Sequence, residues 1–354
     1  MTGLRDKIRV VVVDDSAFMR LVLAKMLESE GDISVVGTAK DGQEALDVVQ
    51  SVQPDVVTLD VEMPRMDGLQ CLVELLNRYP LPVIMVSSVT TKGASTTMKA
   101  LEIGAVDCIP KPASFISFDM PELKEELLQK VRAAAAISPD RLARMIRQRR
   151  QSWDNRAWGD QFRWTRRFDL VAIGCSTGGP AALHAILPTF PAEVPVGVLV
   201  AQHMPAGFTE FLANNLAARC RIKVREARDG DVVRSGEALI APAGRQTVLQ
   251  RRNGKLVVTV FDSKERLSHR PCIDLTLRSV AEACGSRAVG VLLTGMGEDG
   301  ARGLLAMRNA GAVTLVESED TAVVYGIPRV AKELGAACRQ LPLADIARET
   351  LAII

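Results

Sequence analysis

The sequence predicts an α/β protein of two domains, each built around a mainly parallel sheet. Short β-branched runs alternate with amphipathic helical stretches from Ile8, and a second alternation of the same kind starts at Phe168. The length of 354 residues is also that of about two domains of roughly 150 residues each. We place the domains at residues 1–135 and 168–354, joined by a linker at 136–167.

Five apolar runs of strand length follow one another in the first domain, separated by helical stretches. This alternation predicts a five-stranded parallel sheet with helices on both faces. The runs are IRVVVV, ISVVGTA, VVTL, PVIMVSS and VDCIP.

Polar residues stand at the carboxyl ends of these runs. Asp14 and Asp15 follow the first run, Asp60 ends the third, Ser87 ends the fourth and Lys111 follows the fifth. Because the carboxyl ends of parallel strands meet in one crevice, we expect these five side chains to be neighbours. Helix capping would explain a single acid at this place but not the whole set.

Carboxylates at such short range raise each other's pKa or bind a cation, and a set of oxygen ligands alone suits Mg²⁺. With the metal bound, one carboxylate can attack a phosphoryl donor, while Lys111 and the Ser87 hydroxyl receive the phosphate oxygens. The first domain is therefore predicted to be a phosphorylation switch.

About the first 125 residues resemble a two-component response-regulator receiver domain. The resemblance is carried by the DD pair, the LDVEMPRMDG segment, the serine that ends the fourth run and the KP pair after the fifth. It implies a flavodoxin-like order of strands. It also implies Asp60 as the phosphoacceptor, Asp14, Asp15 and Asp60 as Mg²⁺ ligands, and Lys111 with Ser87 as the switch residues.

The linker is rich in arginine and tryptophan. Residues Ser138 to Arg167 contain nine Arg, three Asp and all three Trp of the chain, namely Trp153, Trp158 and Trp164. Charge runs are usually solvated, and PDRLARMIRQRR has the pattern of a basic helix. Because Arg and Trp also anchor interfaces, a docking segment is the second interpretation.

The second domain contains five further apolar runs and one hairpin. The hairpin is predicted at Arg252-Asn253-Gly254-Lys255, because Asn-Gly between two strand-like runs favours a tight turn. We therefore expect a doubly wound, mostly parallel sheet with a β-hairpin. The runs are FDLVAIG, VPVGVLVAQ, ALIAPA, AVGVLL and AVTLVE.

The first of these runs leads into the motif G-x-S-x-G, with Ser176 at its centre. This pattern is typical of a strand-turn-helix elbow that exposes a serine hydroxyl. Small residues at this place equally suit a phosphate-binding turn or a turn with no function. A nucleophilic serine would need a base to accept its proton and an acid to orient that base.

Three histidines and two acids are candidates for those roles. His203 directly follows VPVGVLVAQ, which places it at the sheet edge that carries the serine. His184 falls inside the following helix and His269 in a polar stretch, so we favour His203 as the base and His269 as the second choice. Asp299 and its rival Glu298 both lie in the loop after AVGVLL.

The same loop also matches the dinucleotide-binding fingerprint. GMGEDG has the form G-x-G-x-x-G after a strand, and Glu317 follows 22 residues after Gly295. Two adjacent acids in the turn would repel a pyrophosphate, so a nicotinamide or flavin cofactor is disfavoured.

Four segments, GCSTGGP, QHMP, HRPCID and LLTGMGEDGA, together resemble the catalytic domain of chemotaxis protein-glutamate methylesterases. A receiver followed by an arginine-rich linker is the architecture of that family. The resemblance implies Ser176 as the nucleophile, His203 as the base and Asp299 as the orienting acid, with the backbone amides of Thr177 and Met296 as oxyanion donors.

The function implied by this resemblance is hydrolysis of glutamate methyl esters on chemoreceptors, with deamidation of receptor glutamines by the same attack. No cofactor is implied for the esterase, and a chemotaxis histidine kinase is the implied phosphodonor. We expect the unphosphorylated receiver to cover the esterase crevice and phosphorylation to expose it. A non-catalytic receptor-binding module is the alternative for the second domain.

Composition, charge and sequence patterns indicate which compartment and which partners to expect. A formal net charge of +2 and the absence of a helix-turn-helix pattern give no indication of nucleic-acid binding. The seven Cys are scattered without a C-x-x-C pair, which argues against a disulfide framework and a zinc site. With no signal-peptide pattern and no apolar stretch near 20 residues, we expect a cytoplasmic protein without membrane insertion.

Overall fold

Two compact units make up the chain, Met1–Gln148 and Arg149–Ile354. The structure is a computed structural model that describes residues 7–88, 90–111, 121–139, 141–144, 146, 164, 167–263 and 269–354. Trp153, Trp158 and most of the predicted linker lie outside the described residues, so the interpretations of that segment stay predictions.

The N-terminal unit, residues 1–148, contains a five-stranded parallel sheet in the order β2-β1-β3-β4-β5. This is the flavodoxin-like order, and it confirms the predicted fold. The elements are β1 Ile8–Val13, α1 Ala17–Glu28, β2 Ile33–Ala39, α2 Gly42–Val52, β3 Val56–Asp60, α3 Gly68–Arg78, β4 Val83–Ser87, α4 Thr91–Ile103, β5 Asp107–Pro110 and α5 Pro121–Ala135.

The central strands of this sheet are buried along their whole length. Every residue of β3 and β4 is buried, which explains why their sequences are continuous apolar runs and not alternating ones. A polar residue at the end of such a strand lies at the carboxyl edge of the sheet, where the helices leave a crevice.

The C-terminal unit, residues 149–354, is larger. Its strands are β6 Leu170–Cys175, β7 Gly197–Gln202, β8 Lys223–Glu226, β9 Glu237–Ile240, β10 Gln246–Arg252, β11 Lys255–Phe261, β12 Ala288–Leu292, β13 Val313–Glu317 and β14 Arg339–Leu341. Its helices are α6 Gly179–Ile186, α7 Thr209–Ala217, α8 Ile273–Cys284, α9 Ala301–Asn309, α10 Ile327–Glu333 and α11 Leu343–Ile353, with 3-10 turns at Leu187–Thr189 and Gly285–Arg287.

Seven of these strands form a parallel sheet in the order β14-β13-β12-β6-β7-β9-β8. From β6 the chain places β7, β8 and β9 on one side, with β9 inserted between β7 and β8, and it then places β12, β13 and β14 in turn on the other side. The order therefore reverses between β6 and β12, and ligands of open α/β sheets bind beyond the carboxyl ends at such a switch point.

Two strands of this sheet were missed by sequence analysis. β8 (KVRE) and β14 (RQL) lie at the two edges of the sheet, and some of their residues are exposed. Edge position removes the need for a continuous apolar run, so neither strand left a hydrophobic signal in the sequence.

The predicted hairpin is confirmed as β10 and β11, which pair antiparallel from Gln246↔Phe261 to Arg252↔Lys255. Asn253 and Gly254 both have positive φ, at 50° and 77°. Two central residues with positive φ are what a two-residue turn of type I′ requires, and Asn-Gly meets that requirement.

Among the residues that the structure describes, no helix is both long enough and apolar enough to cross a membrane.

The hairpin turn allows a test of the fold. Gly254→Ala should destabilise the C-terminal unit by about 1 kcal/mol, because an L side chain is strained at positive φ. A Cβ at Gly254 would meet nothing within 4 Å, so the whole cost comes from the backbone. Urea unfolding measures the effect. Asn253→Gly, which suits the same φ region, is the control and should cost much less; equal stability of the two variants would contradict the turn assignment.

Candidate functional sites

The predicted acidic crevice is present in the N-terminal unit. Asp14 follows β1, Asp60 ends β3 and Lys111 follows β5. The Lys111 ammonium lies 2.9 Å from Oδ2 of Asp14 and 2.7 Å from Oδ2 of Asp60. Both carboxylates are almost fully buried. The single lysine cation therefore pairs with two buried carboxylates.

Asp15 completes the set of carboxylates. It is exposed, but one oxygen from each of Asp14, Asp15 and Asp60 can be chosen so that all lie within 4.8 Å of one another. Three oxygen donors in this space, with one side open to solvent, fit Mg²⁺, which takes few carboxylates and keeps several waters.

Ser87 stands beside this set. It ends β4, is fully buried, and its backbone carbonyl accepts a hydrogen bond from the Lys111 amide at 2.7 Å. Its hydroxyl donates to the Ser88 carbonyl at 3.2 Å. All five residues predicted from strand ends therefore converge on one edge of the sheet.

Burial controls the charge of Asp60. Desolvation, together with the nearby Asp14 charge, outweighs the Lys111 hydrogen bond and raises the pKa of Asp60 to about 6. Burial also disfavours the Lys111 cation, but its hydrogen bonds to Asp60 and Asp14 overcome this and raise the pKa of Lys111. The ionised form of Asp60 is thus energetically unfavourable in the folded protein, and a bound cation or phosphorylation would change this free energy.

The C-terminal unit brings Ser176, His203 and Asp299 into one hydrogen-bonded chain. Ser176 follows β6, His203 follows β7, and Asp299 lies in the loop between β12 and α9. Nδ1 of His203 lies 3.2 Å from Oγ of Ser176, and Nε2 lies 2.8 Å from Oδ2 of Asp299. This arrangement can pass the serine proton to the imidazole while the carboxylate stabilises the resulting cation.

Gln202 connects the two strand ends that carry the serine and the histidine. Its Nε2 donates to the carbonyl of Ser176 at 2.9 Å and to that of His203 at 2.8 Å. The His203 amide also donates to the Cys175 carbonyl at 3.1 Å. These bonds fix the backbone on both sides of the serine-histidine contact, a role that sequence analysis did not assign to Gln202.

Asp299 is held by the start of α8. Its carboxylate accepts hydrogen bonds from the amides of Ile273 and Asp274, each at 2.9 Å, and from the Cys272 thiol at 3.3 Å. Burial opposes its charge, but the bonds from His203 and from these amides prevail and hold the pKa of Asp299 well below its usual range. Asp299 is therefore a fixed anion.

The competing candidates occupy other places. Glu298 is exposed and lies 3.9 Å from Arg302, whereas Asp299 bonds Nε2 of His203. His184 is half-buried in α6, where burial and the Arg219 charge lower its pKa to about 4.

His269 lies next to the favoured base. Its ring stacks on His203 with centroids 4.1 Å apart and planes 6° apart, and its Nδ1 is 3.9 Å from Oδ2 of Asp299. The HRPCID segment, whose role the sequence did not reveal, therefore supplies both this stacked ring and the residues that hold Asp299.

The loop after β12 passes close to the serine. A Cβ on Gly295 would lie 2.8 Å from the Cβ of Ser176, so only glycine permits this approach. The Ser176 amide donates to the Thr294 carbonyl at 3.0 Å, and the Thr294 hydroxyl donates to the Thr177 carbonyl at 2.8 Å. The two segments that contain the predicted oxyanion donors, Thr177 and Met296, are thus joined beside the serine.

The dinucleotide interpretation conflicts with these contacts. In the G-x-G-x-x-G loop, Asp299 is bonded to His203 and to α8, which leaves its charge inside the turn. Glu317 is fully buried and accepts a hydrogen bond from the Thr294 amide at 2.8 Å, so it supports the loop from below.

The acidic crevice makes a prediction about stability. Because folding raises the pKa of Asp60 from 3.8 to about 6, the folded protein binds this proton more tightly than the unfolded chain. Its contribution to stability is therefore present below pH about 4 and lost as pH rises through about 6. Without Mg²⁺, Asp60→Asn should raise the melting temperature of the N-terminal unit at pH 7.5, and the gain should shrink toward pH 4.

Calorimetry in EDTA measures this effect, with Asp47→Asn, an exposed carboxylate in α2, as the matched control. A lower melting temperature for Asp60→Asn than for the parent at pH 7.5 would contradict the electrostatic argument.

Comparison with known proteins identifies a family for each of the two domains. The family described as CheB methylesterase matches residues 171–350, and the response regulator receiver domain matches residues 10–124. The crystal structure of the Thermotoga maritima CheB methylesterase catalytic domain is 37% identical, with a TM-score of 0.52, and covers 53% of this chain and 99% of that one.

Relatives extend this similarity over the full length. A protein-glutamate methylesterase/protein-glutamine glutaminase of Symbiobacterium thermophilum is 49% identical, covering 96% of this chain and 95% of the relative. One of the same name from Pyrococcus abyssi is 44% identical, covering 96% of this chain and 92% of the relative. The chain therefore belongs to the family of protein-glutamate methylesterases/protein-glutamine glutaminases, in which a receiver domain precedes a CheB methylesterase domain.

Proposed function

We propose that this protein removes methyl groups from glutamate side chains of chemoreceptors, and that phosphorylation of Asp60 activates it. The observation that carries the proposal is the Ser176-His203-Asp299 chain of hydrogen bonds, at 3.2 and 2.8 Å, located at the switch point of the second sheet. Family membership supports the substrate class, because full-length relatives carry the names of both activities.

The reaction follows from the geometry. Nδ1 of His203 takes the proton from Oγ of Ser176 as the oxygen attacks the ester carbonyl carbon. Asp299 stabilises the imidazolium that forms. Collapse of the tetrahedral intermediate breaks the bond to the methoxy oxygen, which leaves as methanol with the proton from Nδ1. Water, deprotonated by His203, then attacks the acyl carbon. The bond from that carbon to Oγ of Ser176 breaks as His203 returns the proton to Oγ, which leaves a glutamate carboxylate and the free serine.

The oxyanion is received by the amides of Thr177 and Met296 in this proposal. Their segments meet beside Ser176 through Thr294, which supports the assignment. One donor of this kind contributes about 10² to 10³ in rate, so the position of the loop matters as much as the basicity of His203. A glutamine side chain presents an equivalent carbonyl. Attack on it by Oγ of Ser176 releases ammonia instead of methanol, which accounts for glutaminase activity.

The receiver controls this reaction through Asp60. Asp14, Asp15 and Asp60 would hold Mg²⁺, which supplies positive charge for the phosphoryl oxygens when bound. A carboxylate oxygen of Asp60 attacks the phosphorus of the phosphohistidine of the donor, and the bond from phosphorus to the histidine nitrogen breaks. The Lys111 ammonium and the Ser87 hydroxyl then donate hydrogen bonds to the phosphate oxygens. A chemotaxis histidine kinase is the proposed donor. We further propose that the unphosphorylated receiver blocks access to Ser176 and that phosphate on Asp60 relieves the block.

The nucleophile assignment predicts the effect of Ser176→Ala. Methanol release from methylated receptor membranes should fall by at least about a thousandfold, since the attacking atom is lost. Phosphorylation of Asp60 should be unchanged. Ser235→Ala, which removes a hydroxyl bonded to the Pro195 carbonyl, is the matched control and should retain full activity. Substantial esterase activity in Ser176→Ala would show that another group attacks.

Inhibition by the receiver predicts that a fragment of residues 168–354 is faster than the unphosphorylated full chain. A methylesterase catalytic domain of Thermotoga maritima has been crystallised, so a fragment of this extent is a reasonable expression target. Methanol release with and without a small phosphodonor measures the difference. A fragment no faster than the unphosphorylated chain would be evidence against inhibition.

A further inference from the structure

Two carboxylates beside the candidate active site hold each other's loops. Asp299, in the loop before α9, accepts hydrogen bonds from the Ile273 and Asp274 amides at the start of α8. Asp274, in the first turn of α8, accepts hydrogen bonds through Oδ1 from the Gly300 amide at 2.9 Å and the Gly303 amide at 2.6 Å. Each carboxylate therefore caps the helix start that carries the other.

This reciprocal arrangement acts directly on the position of Asp299. Gly300 follows Asp299 in the chain, so the bond from its amide to Asp274 fixes the peptide that carries the Asp299 side chain. Without that bond, the buried amides of Gly300 and Gly303 would lose their acceptor, and such loss costs about 1 to 3 kcal/mol. The loop would then relax and carry the Asp299 carboxylate away from His203.

The Asp274 carboxyl group lies among other polar and charged groups. Burial raises its pKa, the Gly303 and Gly300 amides oppose the rise, and the neighbouring Asp299 charge adds to it. Other groups face this pair: the Cys272 thiol donates to Asp299, His269 lies 3.9 Å from it, and Arg278 of α8 attracts Asp274. Glu298 and Arg302 pair with each other at the exposed end of the loop.

We infer that Asp274 is a positioning residue of the esterase reaction, which keeps the Asp299 carboxylate on His203 by holding the Gly300 and Gly303 amides. This inference rests on the proposed function. Asp274 lies in the HRPCID segment, whose role the sequence did not reveal, and it reaches the reacting atoms only through Asp299 and His203.

Two variants of the full-length protein test whether the bonds of Asp274 position the loop. Asp274→Ala removes the Oδ1 atom that accepts from both amides, so kcat for methanol release should fall about tenfold or more while KM is unchanged. Asp274→Asn keeps a side-chain oxygen for the Gly300 and Gly303 amides. Its kcat should therefore stay well above that of Asp274→Ala.

Asp229→Asn is the matched control, since Oδ1 of Asp229 accepts the Val260 amide at 2.9 Å in the hairpin region. It should leave kcat and KM unchanged. A kcat for Asp274→Ala equal to that of the parent, or a kcat for Asp274→Asn as low as that of Asp274→Ala, would overturn the inference, whatever the change in melting temperature.

A measurement without turnover keeps this inference distinct from the proposed function. The proton between Nε2 of His203 and Asp299 should give a downfield NMR signal in the parent and the control, and Asp274→Ala should weaken it or move it upfield. An unaltered signal in Asp274→Ala would also overturn the inference. Failure of the proposed function would appear elsewhere, as esterase activity that survives Ser176→Ala.

Discussion

The hydrogen bond between His203 Nε2 and Asp299 Oδ2, at 2.8 Å, is the interaction on which the catalytic unit depends. It joins β7 on one side of the switch point to the β12 loop on the other, with Ser176 of β6 between them. The buried carboxylate keeps its charge because the bond from His203 and the backbone amides at the start of α8 both stabilise it. The position of the α8 start on the sheet is thus part of the chemistry.

The orientation of the histidine follows from this frame. Its Nδ1 faces the serine and its Nε2 faces the acid, the reverse of the nitrogen roles in the chymotrypsin triad. A histidine that directly follows its strand is close to the serine through its own backbone, which Gln202 ties to the serine carbonyl. The near nitrogen therefore meets the serine, and the far nitrogen reaches across to the loop.

The receiver site also lies at the carboxyl edge of its sheet, but there the surroundings act on the carboxylate in the opposite direction. In the esterase, amides and an imidazole stabilise a buried carboxylate until its pKa lies far below its usual range. In the receiver, burial and Asp14 destabilise the Asp60 anion despite Lys111. A bound cation, or a change in the charge of Asp60, would therefore stabilise the site. The folded structure therefore stabilises the Asp299 anion and destabilises the Asp60 anion.

Local patterns in the sequence determined the strands, the hairpin and the residues at the strand ends. These signals are local because burial selects apolar runs, and the residue after a parallel strand lies at the carboxyl edge wherever the strand sits. The edge strands β8 and β14 lacked burial and so lacked a signal. Only the tertiary structure bonded Asp299 to His203, stacked His269 on His203, and paired Asp274 with Asp299. Those outcomes depend on atoms brought together from α8, β7 and the β12 loop, and contacts between segments so far apart in the chain leave no periodic trace in it.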